Sequence, residues 1–314
     1  MLGKKSFAFV FPGQGSQAIG MLKGLADAYP EVHETFREAS DVLGIDLWDI
    51  VQRGPEEELN RTVITQPALL ATDVACYRVW RAAGGAVPFV MAGHSLGEYA
   101  ALVCAESLSY KDGLRLVAER GRLMQEAVPA GLGAMAAVLG LADGDVVALC
   151  ERYAQGEVLA AANYNAPGQV VIAGAKAAVD RAVAGAKAAG AKRAIMLPVS
   201  VPSHCQLMQG AAKTFAGSLA EVTFHAPLVP VIHNCHVLSH HEPKEIRAAL
   251  IEQLFSPVRW VESVQHMVAL GARAIIECGP GRILTGLNKR IVDHPCLSLG
   301  EPADLLAVLG ELGS

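Results

Sequence analysis

The chain has 314 residues, 52% of them hydrophobic, and a formal net charge of −5 with acidic and basic residues interspersed. This composition predicts a folded protein with a substantial core. It provides no basic footprint for nucleic acid or an anionic membrane surface, and no apolar run reaches the roughly 18 residues of a membrane span. Neither nucleic acid nor a membrane is therefore expected as a partner.

Seven cysteines are scattered along the chain without the CxxC spacing of a structural zinc site: Cys76, Cys104, Cys150, Cys205, Cys235, Cys278 and Cys296. Their odd number and apolar surroundings favour free thiols in a reducing compartment over a disulfide framework. At the N-terminus, a basic pair precedes an apolar run of about six residues, which is too short for a secretory signal. We therefore expect a cytoplasmic protein whose first element is a buried strand.

Short β-rich apolar runs alternate with longer segments of helical periodicity. The runs SFAFVF, FVMAGHS, VPVIHN and ARAIIECGP are predicted to be buried strands. Strands that alternate with helices indicate a parallel sheet covered by helices on both faces. The predicted fold class is α/β.

Residues 131–199 are expected to form a separate unit. Their segments are predicted to follow the order βαββαβ, which is that of a ferredoxin-like unit, and NAPGQ supplies a turn between its second and third strands. We expect a discontinuous large subdomain of residues 1–130 and 200–314, and a small inserted subdomain of residues 131–199.

The segment Gly93-His94-Ser95-Leu96-Gly97 matches G-x-S-x-G, the nucleophile elbow. In such an elbow, glycines permit a sharp strand-to-helix turn that exposes the serine Oγ and leaves the next backbone N–H free to stabilise an oxyanion. A predicted strand precedes the motif and a predicted helix follows it. This setting favours a nucleophilic Ser95 over the alternative, in which Ser95 only caps a helix.

A serine nucleophile needs a base, and His204 is the preferred candidate. It follows a predicted strand and a Pro202 turn, at the junction of the two predicted subdomains, where clefts form. His94 adjoins Ser95, but neighbours on a turn point in different directions, so we expect His94 to orient or line the site. The histidine-rich segment 233–241 fits no standard zinc spacing. It is predicted to be a solvated strand end and loop, and no metal is expected.

Arg120 is predicted to lie on the buried face of its helix. The residues three and four positions away on either side are all apolar: Leu116, Val117, Leu123 and Met124. A buried guanidinium requires an anion. Spacing leaves two alternatives equally open: an internal ion pair with an Asp or Glu, or a bidentate site for a substrate carboxylate.

The loop after the first predicted strand contains G-x-G-x-x-A at 13–18, which resembles a dinucleotide-binding fingerprint. That fingerprint requires an acidic residue about twenty positions later, at the end of a second strand. Here Glu31, Glu34 and Glu38 fall in a helical pattern instead. The preferred interpretation is a loop that brings a second oxyanion N–H close to Ser95.

Eight motifs occur in a fixed order along the chain: FPGQGSQ at 11–17, TQPALLA at 65–71, GHSLGEYAAL at 93–102, RGRLMQEAVP at 120–129, NYNAPGQVVIAG at 163–174, VPSHC at 201–205, QLFSPVRW at 253–260 and GPGRILTGL at 279–287. In this order they resemble the bacterial malonyl-CoA:acyl-carrier-protein transacylases, over essentially the whole chain. The resemblance implies a hydrolase-like α/β core with a ferredoxin-like insertion, and an acyltransferase that supplies fatty-acid synthesis.

The resemblance also implies catalytic roles at matching positions. Ser95 would be the nucleophile and His204 its base, and the backbone N–H groups of Gln14 and Leu96 would form the oxyanion hole. The malonyl group would pass from malonyl-CoA to Ser95 and then to the phosphopantetheine thiol of acyl carrier protein, in a ping-pong reaction without a metal or redox cofactor.

Four further residues would support the substrate. Arg120 would bind the malonyl carboxylate, and the backbone carbonyl of Gln253 would orient His204, since the family has no acidic third triad member. His94 and Asn165 would line the site, and with Gln253 they complete the predicted substrate-binding set. A monomer is expected. Lys289 and Arg290 are candidates for contact with the carrier protein, although an ordinary solvated helix face is preferred for them.

Two rival functions follow from the same motifs. An α/β-hydrolase would use the same elbow, but such enzymes place the histidine near the C-terminus, after the acidic residue, whereas a long segment follows His204. An inactive carrier-protein docking module is the other rival, and the intact pair of Ser95 and His204 argues against it.

Overall fold

A computed structural model describes residues 6–199 and 201–313. The basic pair Lys4 and Lys5, and the subdomain boundary residues 1, 200 and 314, lie outside the described residues. In chain order the elements are β1 (Phe7–Phe11), α1 (Lys23–Ala28), α2 (Pro30–Leu43), α3 (Leu47–Arg53), α4 (Glu56–Leu59), α5 (Thr62–Ala82), β2 (Val90–Gly93), α6 (Gly97–Cys104), α7 (Tyr110–Glu126), β3 (Gly133–Leu139), α8 (Asp143–Ala154), β4 (Leu159–Ala166), β5 (Gln169–Ala175), α9 (Lys176–Ala186), β6 (Arg193–Met196), α10 (Gln209–Ala220), β7 (Val231–Ile232), α11 (Pro243–Gln253), α12 (Trp260–Leu270), β8 (Ala274–Glu277), α13 (Ile283–Asn288), β9 (Cys296–Ser298) and α14 (Pro302–Gly313).

Five parallel strands form the larger sheet, in the order β7-β2-β1-β8-β9. All five residues of the central strand β1 are buried, and successive side chains point to opposite faces. Phe7, Phe9 and Phe11 pack into the core on one face, and Ala8 and Val10 into the core on the other. The predicted α/β class, with a parallel sheet flanked by helices, is confirmed.

Four antiparallel strands form a second sheet, in the order β4-β5-β3-β6. Along the chain these strands and their helices occur as strand, helix, strand, strand, helix, strand. Helices α8 and α9 cover one face of the sheet. On the other face, Met135 and Val171 pack against Cys205 and Leu207, which belong to the chain that returns to the large sheet. The tight β4–β5 turn requires Gly168, whose φ is +70°.

The two sheets are joined at Val258, next to α12. Its N–H donates to the carbonyl of Ala162, and its own carbonyl accepts from the N–H of Tyr164, both at 2.9 Å. These bonds fix the edge of β4 to the segment before α12, which packs on one face of the large sheet. A cleft lies between the two sheets, in the position where open α/β sheets bind their ligands.

All seven cysteines are buried and free. Across the described ranges, no helix has both the length and the apolar character needed to cross a bilayer.

Candidate active site

Ser95 lies in a sharp turn between the end of β2 and the start of α6. Its φ is +53°, a left-handed conformation that is unfavourable for a residue with a side chain. The neighbouring backbone passes so close that the motif glycines are required: a Cβ on Gly97 would lie 2.1 Å from the carbonyl oxygen of Phe11, and one on Gly93 would lie 1.8 Å from the carbonyl carbon of Gly97. The turn therefore presents the Ser95 side chain to the cleft.

His204 lies beside Ser95, with 2.7 Å between Ser95 Oγ and His204 Nε2. The other ring nitrogen, Nδ1, is 2.8 Å from the backbone carbonyl oxygen of Gln253. A carbonyl only accepts hydrogen bonds, so Nδ1 carries the proton in the neutral ring and Nε2 accepts from the Ser95 hydroxyl. The two residues therefore have the geometry of a nucleophile–base pair, with the histidine oriented by a backbone carbonyl.

The environment of His204 keeps its ring neutral. Burial, and then the positive charge of Arg120, lower the pKa of His204 to about 3. Burial also lowers the pKa of His94. A neutral imidazole with a free Nε2 lone pair can accept the serine proton at physiological pH.

Arg120 is 1% exposed and donates three hydrogen bonds around Ser95. Its Nη1 bonds Gln66 Oε1 at 2.9 Å, and its Nη2 bonds Gln253 Oε1 at 3.0 Å and Ser95 Oγ at 3.1 Å. Its Nε has no partner. Within residues 6–199 and 201–313, no Asp or Glu forms an ion pair with this guanidinium, so the internal ion pair that spacing left open is not formed there.

Glu98 anchors a buried hydrogen-bond network that the sequence analysis missed. This carboxylate, 0% exposed, accepts from His233 Nδ1 at 2.7 Å, from the backbone N–H of Asn234 at 2.9 Å and from Gln253 Nε2 at 2.8 Å. Gln253 thus connects Glu98 to Arg120, with its amide between the two charges. A lone acid in the apolar stretch GEYAALV was the sequence signal that could have revealed this network.

Asn234 holds the backbone of the elbow. Its Oδ1 accepts from the N–H of Ser95, and its Nδ2 donates to the carbonyl of Gly93, both at 2.7 Å. His233 and Asn234 are both 0% exposed. The prediction that segment 233–241 is a solvated strand end and loop is therefore wrong at its start. The physical reason is that β7 pairs with β2, which brings these two residues against Glu98 and the elbow.

The loop after β1 runs directly against the elbow. A Cβ on Gly13 would lie 2.4 Å from the carbonyl oxygen of His94, and the loop places Gln14 at the cleft opposite Leu96. Within the described part of the chain, the backbone N–H groups of Gln14 and Leu96 have no hydrogen-bond partner. The loop does not lead straight into a helix, because α1 begins only at Lys23. It therefore lacks the strand-to-helix turn of a dinucleotide fingerprint.

Seven of the eight predicted site residues line the cleft, and Gln253 is the exception. Ser95, His204, Arg120, Gln14, Leu96, His94 and Asn165 all line it. His94 Nε2 lies 2.8 Å from Asn165 Oδ1, and the two side chains connect the elbow to the small sheet. Gln253 is fully buried and is not among the residues that line the cleft; it bonds Arg120 and His204, which do line it, and its role as a substrate contact stays a prediction.

Arg290 links two elements. Its Nη2 donates to the carbonyl of Pro167 at 3.0 Å, and its Nη1 contacts Gln169 Oε1. It thereby ties the end of α13 to the β4–β5 turn. Lys289 and Arg290 are both exposed, in agreement with the preferred solvated surface, although Arg290 also makes these surface hydrogen bonds.

Known proteins match this chain over nearly its full length. The sequence profile of the acyl transferase domain family matches residues 8–309. The chain is 57% identical to the malonyl CoA-acyl carrier protein transacylase of Escherichia coli (strain K12), over 96% of this chain and 98% of that protein.

Two solved structures have the same fold. The malonyl CoA-acyl carrier protein transacylase of Coxiella burnetii superposes with a TM-score of 0.98 at 50% identity, over all of both chains. A malonyl-transacylase solved in complex with a type II PKS acyl-carrier protein superposes with a TM-score of 0.97 at 53% identity, over 98% of this chain and all of that one.

Proposed function

This chain belongs to the acyl transferase domain family, and we propose that it transfers a malonyl group from malonyl-CoA to the phosphopantetheine thiol of acyl carrier protein. One observation carries the proposal: a buried guanidinium without an ion-pair partner among the described residues lies 3.1 Å from the hydroxyl of a serine–histidine pair. Such a site combines an acyl-accepting nucleophile with a receptor for a carboxylate. The malonyl-transferring relatives support the same substrate.

In the first half-reaction, Ser95 Oγ attacks the thioester carbonyl carbon of malonyl-CoA while its proton passes to His204 Nε2. The negative charge that develops on the carbonyl oxygen is stabilised by the free backbone N–H groups of Gln14 and Leu96. The carbon–sulfur bond then breaks, and coenzyme A leaves as a thiol with the proton from His204. The product is a malonyl ester on Ser95.

In the second half-reaction, the phosphopantetheine thiol gives its proton to His204 and attacks the same ester carbonyl. The ester C–O bond breaks, and Ser95 Oγ recovers the proton from His204. The malonyl group leaves as a thioester on the carrier protein. Side chains and backbone N–H groups of this chain perform every proton transfer and charge stabilisation in this scheme, which accordingly uses no cofactor.

Arg120 provides the selectivity. Its Nε has no partner and its Nη1 donates a single hydrogen bond, so the guanidinium keeps free N–H groups for a carboxylate. An acetyl group would leave the buried guanidinium without an anion, a penalty of about 3 kcal/mol or more when one partner of a buried charge pair is removed. The same contact holds the ester in place while water is excluded and the thiol arrives.

We further propose two subdomains and a cellular setting. Residues 131–199 would form a ferredoxin-like subdomain, supported by the antiparallel order β4-β5-β3-β6 with two helices on one face. Residues 1–130 and 200–314 would form the hydrolase-like one. Seven free, buried thiols are typical of a reducing compartment, so the enzyme would act in the cytoplasm. It would act as a monomer, without nucleic acid or a membrane, in fatty-acid synthesis.

Intact-protein mass spectrometry tests the function. The protein is mixed briefly with malonyl-CoA, then with carrier protein, and compared with Ser95→Ala and with Ser203→Ala, a control serine at the same cleft. A malonyl adduct on the wild type and Ser203→Ala, absent from Ser95→Ala and discharged by carrier protein, supports the transferase. An adduct that water clears at once indicates a hydrolase instead, and no adduct indicates an inactive docking module.

A further inference from the structure

We propose that Cys235, His236 and Glu252, none of which lines the substrate cleft, form a binding site for a divalent transition-metal ion of the zinc type. Cys235 and His236 follow β7, and Glu252 lies in the last turn of α11. One potential ligand atom from each residue lies within 4.8 Å of the other two. The malonyl-transfer scheme above uses none of these side chains.

The donor set and its spacing fit zinc. Tetrahedral zinc takes thiolate, imidazole and carboxylate ligands at about 2.0–2.3 Å, which sets neighbouring ligand atoms roughly 3.3–3.8 Å apart. His236 Nε2 and Glu252 Oε2 are already 3.1 Å apart. Small side-chain rotations would therefore bring all three atoms to bonding distance, and a water molecule would complete the tetrahedron.

A hydrogen bond already orients the histidine. His236 Nδ1 lies 3.0 Å from His240 Nε2. Glu245 Oε2 is 3.6 Å from His240 Nδ1, close enough for an ion pair but beyond hydrogen-bond distance. A metal-bound histidine typically gives its other N–H to such an acceptor, and a carboxylate often completes the chain. The hydrogen bond with His240 would fix the His236 ring with Nε2 directed to the metal.

The site combines a buried thiol with an open entrance. Cys235 is 8% exposed and donates a weak hydrogen bond to the carbonyl of Ala249, whereas the side chains of His236 and Glu252 are 29% and 46% exposed. An ion can enter from solvent. On binding, the Cys235 thiol loses its proton to solvent and forms a thiolate–metal bond.

The residues of the proposed metal site adjoin the residues that hold Ser95 and His204 in place. Cys235 follows Asn234, which bonds the N–H of Ser95, and Glu252 precedes Gln253, whose carbonyl bonds His204. A bound ion would therefore link the two segments that support the nucleophile and its base. The site needs no substrate, so its existence does not depend on the proposed reaction.

Cobalt and zinc titrations of the full chain, with any affinity tag removed and the thiols kept reduced by a phosphine, test the site. We expect Co²⁺ to give a thiolate-to-cobalt charge-transfer band in the near ultraviolet, and Zn²⁺ to displace it at one equivalent. Zn²⁺ should also raise the melting temperature, because it binds the folded chain.

Three ligand variants and two controls decide the assignment. Cys235→Ser should abolish the band, and Cys235→Ser, His236→Asn and Glu252→Gln should each weaken Zn²⁺ binding by roughly tenfold or more. Cys296→Ser and His266→Asn, which change a cysteine and a histidine elsewhere, should match the wild type. Glu252→Gln changes one partly exposed atom, so it tests the site even if Cys235→Ser folds poorly. A wild-type chain without the band, or equal Zn²⁺ affinity in Glu252→Gln and wild type, overturns the proposal.

Discussion

Arg120 is a fully buried cation whose hydrogen-bond partners are two glutamines and the Ser95 hydroxyl, and one of those glutamines, Gln253, also bonds the nearby carboxylate of Glu98. Burial lowers the pKa of Arg120 from its usual range, although a guanidinium starts so far above neutrality that it stays charged. A buried charge supported by neutral amides gains most when a ligand brings the missing anion. In the proposed reaction, Arg120 would for this reason decide the selectivity between acyl groups.

Arg120→Ala should remove the preference for malonyl over acetyl groups. We expect kcat/KM for Ser95 acylation by malonyl-CoA to fall by on the order of 100-fold or more, because the charged partner of the malonyl carboxylate is lost. Acylation by acetyl-CoA should change far less. Rapid-quench mass spectrometry measures both rates.

Arg122→Ala is the matched control for this substitution. Arg122 lies on the same helix but is exposed, and it pairs with Glu119 and Glu126. Both acylation rates should remain those of the wild type. An equal loss with the two substrates in Arg120→Ala would show that Arg120 supports the fold of the site and not its selectivity.

The pH dependence of acylation should reflect the lowered pKa of His204. Only the neutral imidazole acts as base, and it persists at every pH above the pKa. Since burial and Arg120 place that pKa at about 3, kcat/KM for malonyl loading should stay near its plateau down to about pH 5. An acidic limb centred near 6.5, the value of an unperturbed histidine, would contradict this assignment. Single-turnover acylation in overlapping buffers measures the profile.

The element that sets the site is the strand–turn–helix formed by β2, the elbow and α6. Its dimensions are fixed by close backbone contacts at Gly93, Gly97 and Gly13, where a Cβ would overlap the neighbouring chain. The left-handed φ of Ser95 is maintained by hydrogen bonds with the backbone of the elbow: Asn234 accepts from the N–H of Ser95 and donates to the carbonyl of Gly93, and Gln253 donates to the carbonyl of Ser95. These neighbours offset the conformational cost that presents Oγ to the cleft.

Gly97→Ala should destabilise the protein strongly. Its Cβ would lie 2.1 Å from the carbonyl oxygen of Phe11, so β1 and α6 must separate, and overpacking of this kind typically costs about 1–3 kcal/mol or more. Gly217→Ala in α10 is the control, because a Cβ there meets nothing within 4 Å; it should be neutral or stabilising by up to about 1 kcal/mol. Urea unfolding of both variants measures the difference, and equal stabilities would contradict the close contact.

On the scale of the whole molecule, the cleft exists because two sheets meet. The strand ends of the large sheet contribute Ser95 and the loop of Gln14, helix α7 contributes Arg120, and the small sheet contributes Asn165. The small sheet is attached to the rest of the fold by the backbone hydrogen bonds of Val258 to β4 and by the hydrogen bond of Arg290 to the β4–β5 turn. A ligand that bridges the two sides of the cleft should therefore stabilise the entire fold.

The malonyl-enzyme should melt at a higher temperature than the free enzyme. The ester would supply the anion that Arg120 lacks, and charge-assisted hydrogen bonds contribute about 1.5–3 kcal/mol, which corresponds to a rise of several degrees in a chain of this size. The acetyl-enzyme, without a carboxylate, should show a smaller rise. Scanning calorimetry of the three species measures the shifts, and equal rises for both acyl groups would argue against a carboxylate at Arg120.

Local patterns were enough to predict much of this protein. The alternation of buried strands and helices predicts the α/β class, because the periodicity of apolar residues reports which faces are covered. The motif G-x-S-x-G predicts a turn that only glycines permit, and the apolar neighbours of Arg120 predict its burial. Each of these properties depends on residues adjacent in the chain or one helical turn apart.

The tertiary structure alone decided which distant residues meet. Glu98, Asn234 and Gln253 come from three separate elements, and their hydrogen bonds form only once β7 pairs with β2 and α11 packs beside them. The same packing buries His233 and places Glu252 beside Cys235 and His236. Because Glu252 lies outside segment 233–241, the spacing of residues within that segment could not predict this proposed ligand set. Sequence spacing determines local faces and turns, whereas contacts between remote segments depend on how the whole chain packs.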